Sequence, residues 1–265
     1  MFTNKDHTFV ICAYKESPYL EQCIQSLKSQ TVESRILMIT STPNEHIKSM
    51  AEKYQIKLLV NEGKAGISGD WNYAYYNAEN AIVTIAHQDD IYCEEYAYHV
   101  LQYANLSKKP IILFTDYGEL REGAKVTKNK LLQVKRLMLL PLRPRIFHYS
   151  RFIRRRILSM GSPICCPSVS YVKSNLPKQL FTSGYQSDVD WQAWERFSRL
   201  RGSFVYIPKI LLYHRIHEDS ETTRIIGENN RTVEDYEMYC KFWPKPIARV
   251  LEHFYNKGED SNRLS

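Results

Sequence analysis

The chain has 265 residues, 43% of them hydrophobic and 25% charged, which suits a globular protein of one or two domains with a sizeable core and excludes disorder as the default. No apolar run reaches the roughly 18 to 20 residues of a membrane-spanning helix, and Met1 to Asp6 lacks the basic-then-apolar pattern of a signal peptide, so a cytoplasmic location is expected. The net charge of +7 is local: Gly123 to Ser187 holds thirteen Lys or Arg and no Asp or Glu, leaving the rest of the chain at −6 and pointing to an anionic partner that docks at one place.

Thr8 to Tyr14 is an apolar run rich in strand formers, and Ser17-Pro18 then opens a helix with Leu20, Cys23, Ile24 and Leu27 at helical spacing. The pattern repeats as a strand at 36–40, a helix from Asn44 to Tyr54, a strand at 56–60, a helix from Asp70 to Glu79 and a strand at 81–86. Such alternation predicts a mainly parallel sheet with helices on both faces. Between the third strand and its helix, Gly63, Gly66 and Gly69 would let backbone approach a ligand, although a simple connecting loop reads the same way. Six cysteines show neither a CxxC pair nor the spacing of a zinc site, and read as reduced, mostly buried thiols.

Asp89 and Asp90 follow directly on the apolar run 81–85. Carboxylates at the carboxyl end of a buried strand face the crevice in which open α/β sheets bind ligands, and hard oxygen ligands suit Mg²⁺ or Mn²⁺ beside a diphosphate. The competing reading is that the pair caps a helix beginning near Cys93. A helix at 93–106, a strand at 111–116 and a hairpin around 119–125 lead into the acid-free region. There, 131–140 and 147–158 read as two helices broken at Pro141 and Pro144, with apolar residues interleaved with Lys and Arg. They either lie on an anionic membrane surface or pack on the sheet with their cations in solvent.

Ile164 to Val172 reads as a strand beneath the site, and Asp188 as the start of a helix carrying Trp191, Trp194 and Phe197. An apolar strand from Phe204 delivers Arg215 and His217, alternate residues on one face. From about Glu228, Tyr236, Tyr239, Phe242 and Trp243 indicate helices packed by aromatic burial.

Taken together, Phe9 to Ser17 with Leu20, Cys23, Ser26, Leu27 and Gln30-Thr31, then Gly69-Asp70-Trp71-Asn72, His87 to Tyr92, Ser187 to Trp191, and Tyr213 to His217 with Ser220 and Thr222 resemble the family 2 glycosyltransferases of the GT-A fold over roughly residues 7 to 223. The resemblance implies an α/β, Rossmann-like GT-A domain over 1–223 with a basic helical insertion at about 125–160, and a C-terminal helical extension over 224–265. It also implies metal-assisted, inverting transfer from a nucleoside-diphosphate sugar, a UDP-hexose or UDP-N-acetylhexosamine, to a saccharide hydroxyl in the synthesis of a surface polysaccharide or glycoconjugate. Ala13, Tyr14, Glu16, Thr40, Ser41, Gly69, Asn72, Gln88, Asp89 and Arg215 would bind the nucleotide sugar, Asp89, Asp90 and His217 would hold Mn²⁺ or Mg²⁺, and Asp188, with Asp190 as fallback, would be the base. This sequence departs from the pattern at His87, where the first acidic residue of the metal motif is usual, at Thr40-Ser41-Thr42, where an Asp usually reads the base, and at Ser187, where Glu usually precedes Asp188.

The implied partners are the donor, an acceptor that could be carried on a lipid diphosphate, and a second copy in a homodimer. Peripheral contact of residues 125–160 with the inner face of the plasma membrane is expected, and nucleic acid is not. Two rivals are weighed. A sugar-nucleotide pyrophosphorylase lacks support because there is no Gly-rich, basic N-terminal loop, and a nucleic-acid-binding protein stacking bases on Phe147, Tyr149 and Phe152 lacks any module motif.

Overall fold

The computed structural model describes residues 1–63, 66–182, 184–217 and 230–260; Ser220, Thr222 and the 223/224 boundary lie outside them. The elements are β1 (His7–Ala13), α1 (Leu20–Lys28), β2 (Arg35–Thr40), α2 (Glu45–Lys53), β3 (Lys57–Val60), α3 (Ile67–Asn77), β4 (Ile82–His87), β5 (Ile91–Tyr92), α4 (Tyr96–Asn105), β6 (Pro110–Arg121) and β7 (Ala124–Val126). There follow α5 (Lys130–Leu139), α6 (Arg151–Leu158), β8 (Val169–Val172), α7 (Val189–Ser198), β9 (Ser203–Ile216), α8 (Asn230–Cys240) and α9 (Lys245–Asp260).

The sheet runs β3-β2-β1-β4-β8-β6-β9-β5, with β7 on β6. Strands β3, β2, β1 and β4 are parallel, as the alternation of strands and helices predicts. The short β8 is antiparallel to both β4 and β6, and β6 and β9 are again parallel. Successive side chains of a strand point to opposite faces: Phe9 and Ile11 enter one apolar cluster and Val10 the other. All three are fully buried, which is why β1 reads as a continuous apolar run. A polar string crosses this core, with His7 Nε2 at 2.8 Å from Thr84 Oγ1 and Thr84 Oγ1 at 2.6 Å from Ser170 Oγ.

Three expectations shift. The helix expected from 93 begins at Tyr96, because Ile91 and Tyr92 pair with Tyr213 and Leu212 of β9; Asp89 and Asp90 therefore do not cap it. Of the strand expected at 164–172 only Val169–Val172 forms, since Cys166, Pro167 and Ser168 make a single 3-10 turn. The helix expected over 147–158 starts at Arg151, capped by the Ser150 side chain, which accepts from the Ile153 amide at 3.3 Å.

The basic helices are only partly turned to solvent. Arg154 is 1% exposed and donates to the carbonyls of Ser198 (2.9 Å), Gly202 and Leu200 at the end of α7. Arg155 pairs with Glu195 at 2.7 Å. Residues three and four apart share a helix face, so Arg154 lies with the buried Ile157 and Leu158. Neither of these two cations lies in solvent, which departs from the expectation that packed helices leave their cations outside. Arg156 remains exposed.

Candidate functional site

The carboxyl ends of the parallel strands converge on one edge. Gln88, just after β4, donates to the Tyr14 carbonyl at 2.9 Å and accepts from the Tyr14 amide at 3.0 Å, locking the end of β1 to the β4 turn. Lys15, held in a left-handed conformation (φ 54°), donates its amide to Thr42 Oγ1 at 2.6 Å. Beside them Asp70, in the first turn of α3, accepts from Ser41 Oγ and from Asn61 Nδ2, both at 2.7 Å. Gly66 begins this helix with φ 104°, a conformation that costs a side-chain-bearing residue energy. Of the residues expected to meet the nucleotide, Ala13 is buried, Tyr14 is 46% exposed and Glu16 is exposed. Thr40 is fully buried and Ser41 is turned to Asp70. Gly69 lies inside α3, and Asn72 spends its amide on the backbone of Leu180 and Phe181.

At the end of β4, one ligand atom each from His87, Asp89 and Asp90 lie within 4.8 Å of one another. Asp90 is fully buried; its Oδ1 accepts from His214 Nδ1 and from the Arg215 amide, both at 2.9 Å. Its other oxygen, Oδ2, and Nε2 of His87 are buried without a hydrogen-bond partner. Two buried polar atoms left without partners in one cluster are costly unless something binds there. The His87 ring stacks on Trp71 (centroids 5.1 Å apart), and burial lowers its pKa against the pull of Asp90 and Asp89, leaving a neutral imidazole with a free lone pair. For His214 burial works the same way, but the Asp90 carboxylate outweighs it and raises the pKa to about 9. Burial works to raise Asp89, yet its hydrogen bond with His217 (3.1 Å) and then the charge of His214 hold it below the usual carboxylate value. Two carboxylates and an imidazole make a donor set that fits a divalent cation. His217 bonds a member of this cluster, and His87, rather than His217, completes it.

Arg215 fixes the far side. Its Nε donates to the Asp89 carbonyl at 2.8 Å and Nη2 to Gln22 Oε1 at 2.7 Å, while the guanidinium lies 4.1 Å from the Tyr19 ring centre. Tyr19 also meets the His217 ring at 5.1 Å.

The two acids near α7 face different groups. Asp188, 6% exposed, does not cap α7 with its side chain; instead Glu234 of α8 accepts the amides of Gln186 (2.7 Å), Ser187 (2.8 Å) and Asp188 (3.0 Å). Burial and then Glu237, Asp188 and Glu234 raise the Tyr185 pKa. Asp190 accepts from the Trp191 amide at 2.6 Å, and after burial it is the largest influence raising the Cys166 thiol. Its field also reaches Lys135, which donates to Tyr117 Oη at 3.0 Å.

Sequence reasoning missed His214, Asp70, Asn61 and Glu234 as participants. Asp70 and His214 both stand in motifs that carry the resemblance, His214 directly before Arg215; Glu234 carries no local signal.

The sequence model of glycosyl transferase family 2 matches residues 8–181, well over half of the chain. No curated protein matches it. Among solved structures the chain is similar to TarS from S. aureus in complex with UDP-GlcNAc, with a TM-score of 0.66 and 14% identity over 98% of this chain and 76% of that one. It is also similar to the mannosyltransferase PcManGT from Pyrobaculum calidifontis in complex with GDP-Man and Mn²⁺, with a TM-score of 0.62 and 14% identity over 95% and 70% of the two chains. A third is glucosyl-3-phosphoglycerate synthase from Mycobacterium tuberculosis in complex with phosphoglyceric acid, with a TM-score of 0.57 and 12% identity over 90% and 80%. At these identities the likeness establishes a shared GT-A fold.

Proposed function

The chain belongs to glycosyl transferase family 2, and from that membership we infer that it moves a hexose or N-acetylhexosamine from a UDP-sugar to a saccharide hydroxyl with inversion. The observation that carries the donor-site reading is the cluster of His87, Asp89 and Asp90, with two buried polar atoms left unpartnered. A divalent cation held there, Mn²⁺ in preference to Mg²⁺ given the imidazole, would offset the charge that grows on the leaving diphosphate.

The chain's own residues prepare this chemistry. His214 and the Arg215 amide hold Asp90 by one oxygen and leave the other for the ligand. Arg215 is anchored at two points and offers the rest of its fork to phosphate. Ser41, Asn61 and Asp70 form a polar wall on the nucleoside side. Asp188 removes the acceptor's hydroxyl proton as the new bond to C1 forms and the bond from C1 to the diphosphate oxygen breaks, with UDP leaving. A second reading gives this role to Asp190, because the buried Cys165 thiol is raised by the fields of both Asp90 and Asp190 after burial and against Lys135. The acceptor in this reading is a saccharide on a lipid diphosphate, in the assembly of a surface glycan.

A thermal-shift and hydrolysis screen against UDP-, dTDP- and GDP-sugars with and without Mn²⁺ tests the donor site. Stabilisation by a UDP-sugar that needs Mn²⁺ and vanishes in Asp90→Ala supports it, and indifference to every donor overturns it. With an acceptor in hand, turnover lost in Asp188→Asn but kept in Asp190→Asn assigns the base; the reverse gives it to Asp190.

A further inference from the structure

The acid-free region takes no part in the donor site, yet it presents large apolar side chains to solvent. Leu137 is 66% exposed, Phe152 70% and Met160 51%. These three line, with Pro141 and Ile153, a groove of about 400 Å³ between α5 and α6. Ile146, in the segment joining the two helices, is 82% exposed. Contiguous exposed apolar surface of this kind marks an interaction site on a soluble protein.

The charges of this acid-free region are of one sign, and one of them, Arg156, lines the groove itself. Lys130, Arg143, Arg151 and Arg156 are exposed. Among the described residues, the ion pairs of this region use other cations, Arg136 with Asp116 and Arg155 with Glu195, and Arg154 is buried. Arg156 lies 5.6 Å from the Phe152 ring centre and 4.9 Å from that of Trp243, so its stem runs along the groove.

We propose that the α5–α6 face seats on an anionic lipid bilayer, Leu137, Phe152 and Met160 entering the boundary between headgroups and acyl chains while Lys130, Arg143, Arg151 and Arg156 meet lipid phosphates. A bilayer surface satisfies both features, apolar side chains that need a dry environment and cations that need anions. A second copy satisfies only the first. A two-fold interface sets the same patch against itself, and with no carboxylate between Gly123 and Ser187 the cations would meet cations. The inference stands apart from the donor-site reading, because vesicle binding is measured without substrate.

The test is flotation of the full chain with vesicles of pure phosphatidylglycerol and of pure phosphatidylcholine. Binding to the first and not the second is expected, falling as salt is raised. Leu137→Ser/Phe152→Ser should weaken it roughly tenfold through lost apolar burial. Each of Arg143→Gln, Arg151→Gln and Arg156→Gln should weaken it roughly fivefold. These positions are exposed, so the variants should melt as the parent does, and Tyr76→Ser, an exposed aromatic on α3, should bind as the parent does. Failure to float with phosphatidylglycerol overturns the proposal, as does binding untouched by all four variants. A dimer in sedimentation velocity that Leu137→Ser/Phe152→Ser dissolves would give the groove to a second copy instead.

Discussion

The amide of Asp188 donates to the carboxylate of Glu234 at 3.0 Å, across 46 positions of sequence. With the amides of Gln186 and Ser187 on the same carboxylate, the three residues that lead into α7 are held by an acid that arrives from α8, beside the positive end of the helix. The helical extension is thereby tied to the segment that carries Asp188.

Removing that carboxylate in Glu234→Ala should leave three amides without their acceptor and cost about 1–3 kcal/mol. Urea midpoints of the parent, Glu234→Ala and Glu234→Gln would check it. The glutamine, whose carbonyl oxygen still accepts, should recover part of the loss; equal losses in both would show that the charge and not the hydrogen bonds matters.

Arg154 should be the costliest of the basic residues to replace. Its guanidinium caps three carbonyls at the end of α7 while 1% exposed, so Arg154→Ala should cost on the order of 3 kcal/mol or more, because buried charge-assisted partners are left unmade. Arg151→Ala, at an exposed position, should stay within about 0.5 kcal/mol of the parent. Chemical denaturation of the two variants side by side decides it.

His7 should make the protein acid-sensitive. Burial between Ser34 and Thr84 depresses its pKa to about 3. A depressed group contributes its full stability above the unfolded value of 6.5 and loses it as pH falls, since the unfolded chain takes up the proton first. Between pH 7 and 5 the loss should be about 2 kcal/mol from this residue. The difference in unfolding free energy between His7→Gln and the parent should therefore shrink with acid over that window. A constant difference would remove His7 as the cause.

The cluster at the end of β4 should bind Mn²⁺ in the absence of any sugar. His87→Ala and Asp90→Asn should each weaken that binding about 10-fold or more, since each removes one donor. Isothermal titration with Mn²⁺ reads this directly. A His87→Ala variant that binds as the parent does would leave the ring as packing against Trp71.

The sequence alone determined the alternation of strands and helices and the place of the acidic pair after β4. It also carried the order of motifs that marks the family. These are local signals: both faces of these strands are buried, so the continuous apolar run of Phe9 to Ala13, and that of Ile82 to Ala86 broken by Thr84 alone, report a strand wherever they lie. Even there, Ile91 and Tyr92 escaped notice, because a two-residue strand exists only by pairing with Tyr213 and Leu212.

That same pairing sets β9 against the β4 turn and brings His214 to Asp90 over 124 positions. No period along β9 distinguishes His214 from Arg215, or marks His217 just past its end; the register between distant strands does. Tertiary packing likewise turned Arg154 and Arg155 inward while leaving Arg156 out, because α7 and its following loop offered carbonyls and Glu195 on one side of α6 only. It also made Glu234 the acceptor for the segment entering α7, 46 positions from Asp188 in the chain, a choice set by where α8 lies and by nothing in the residues around it.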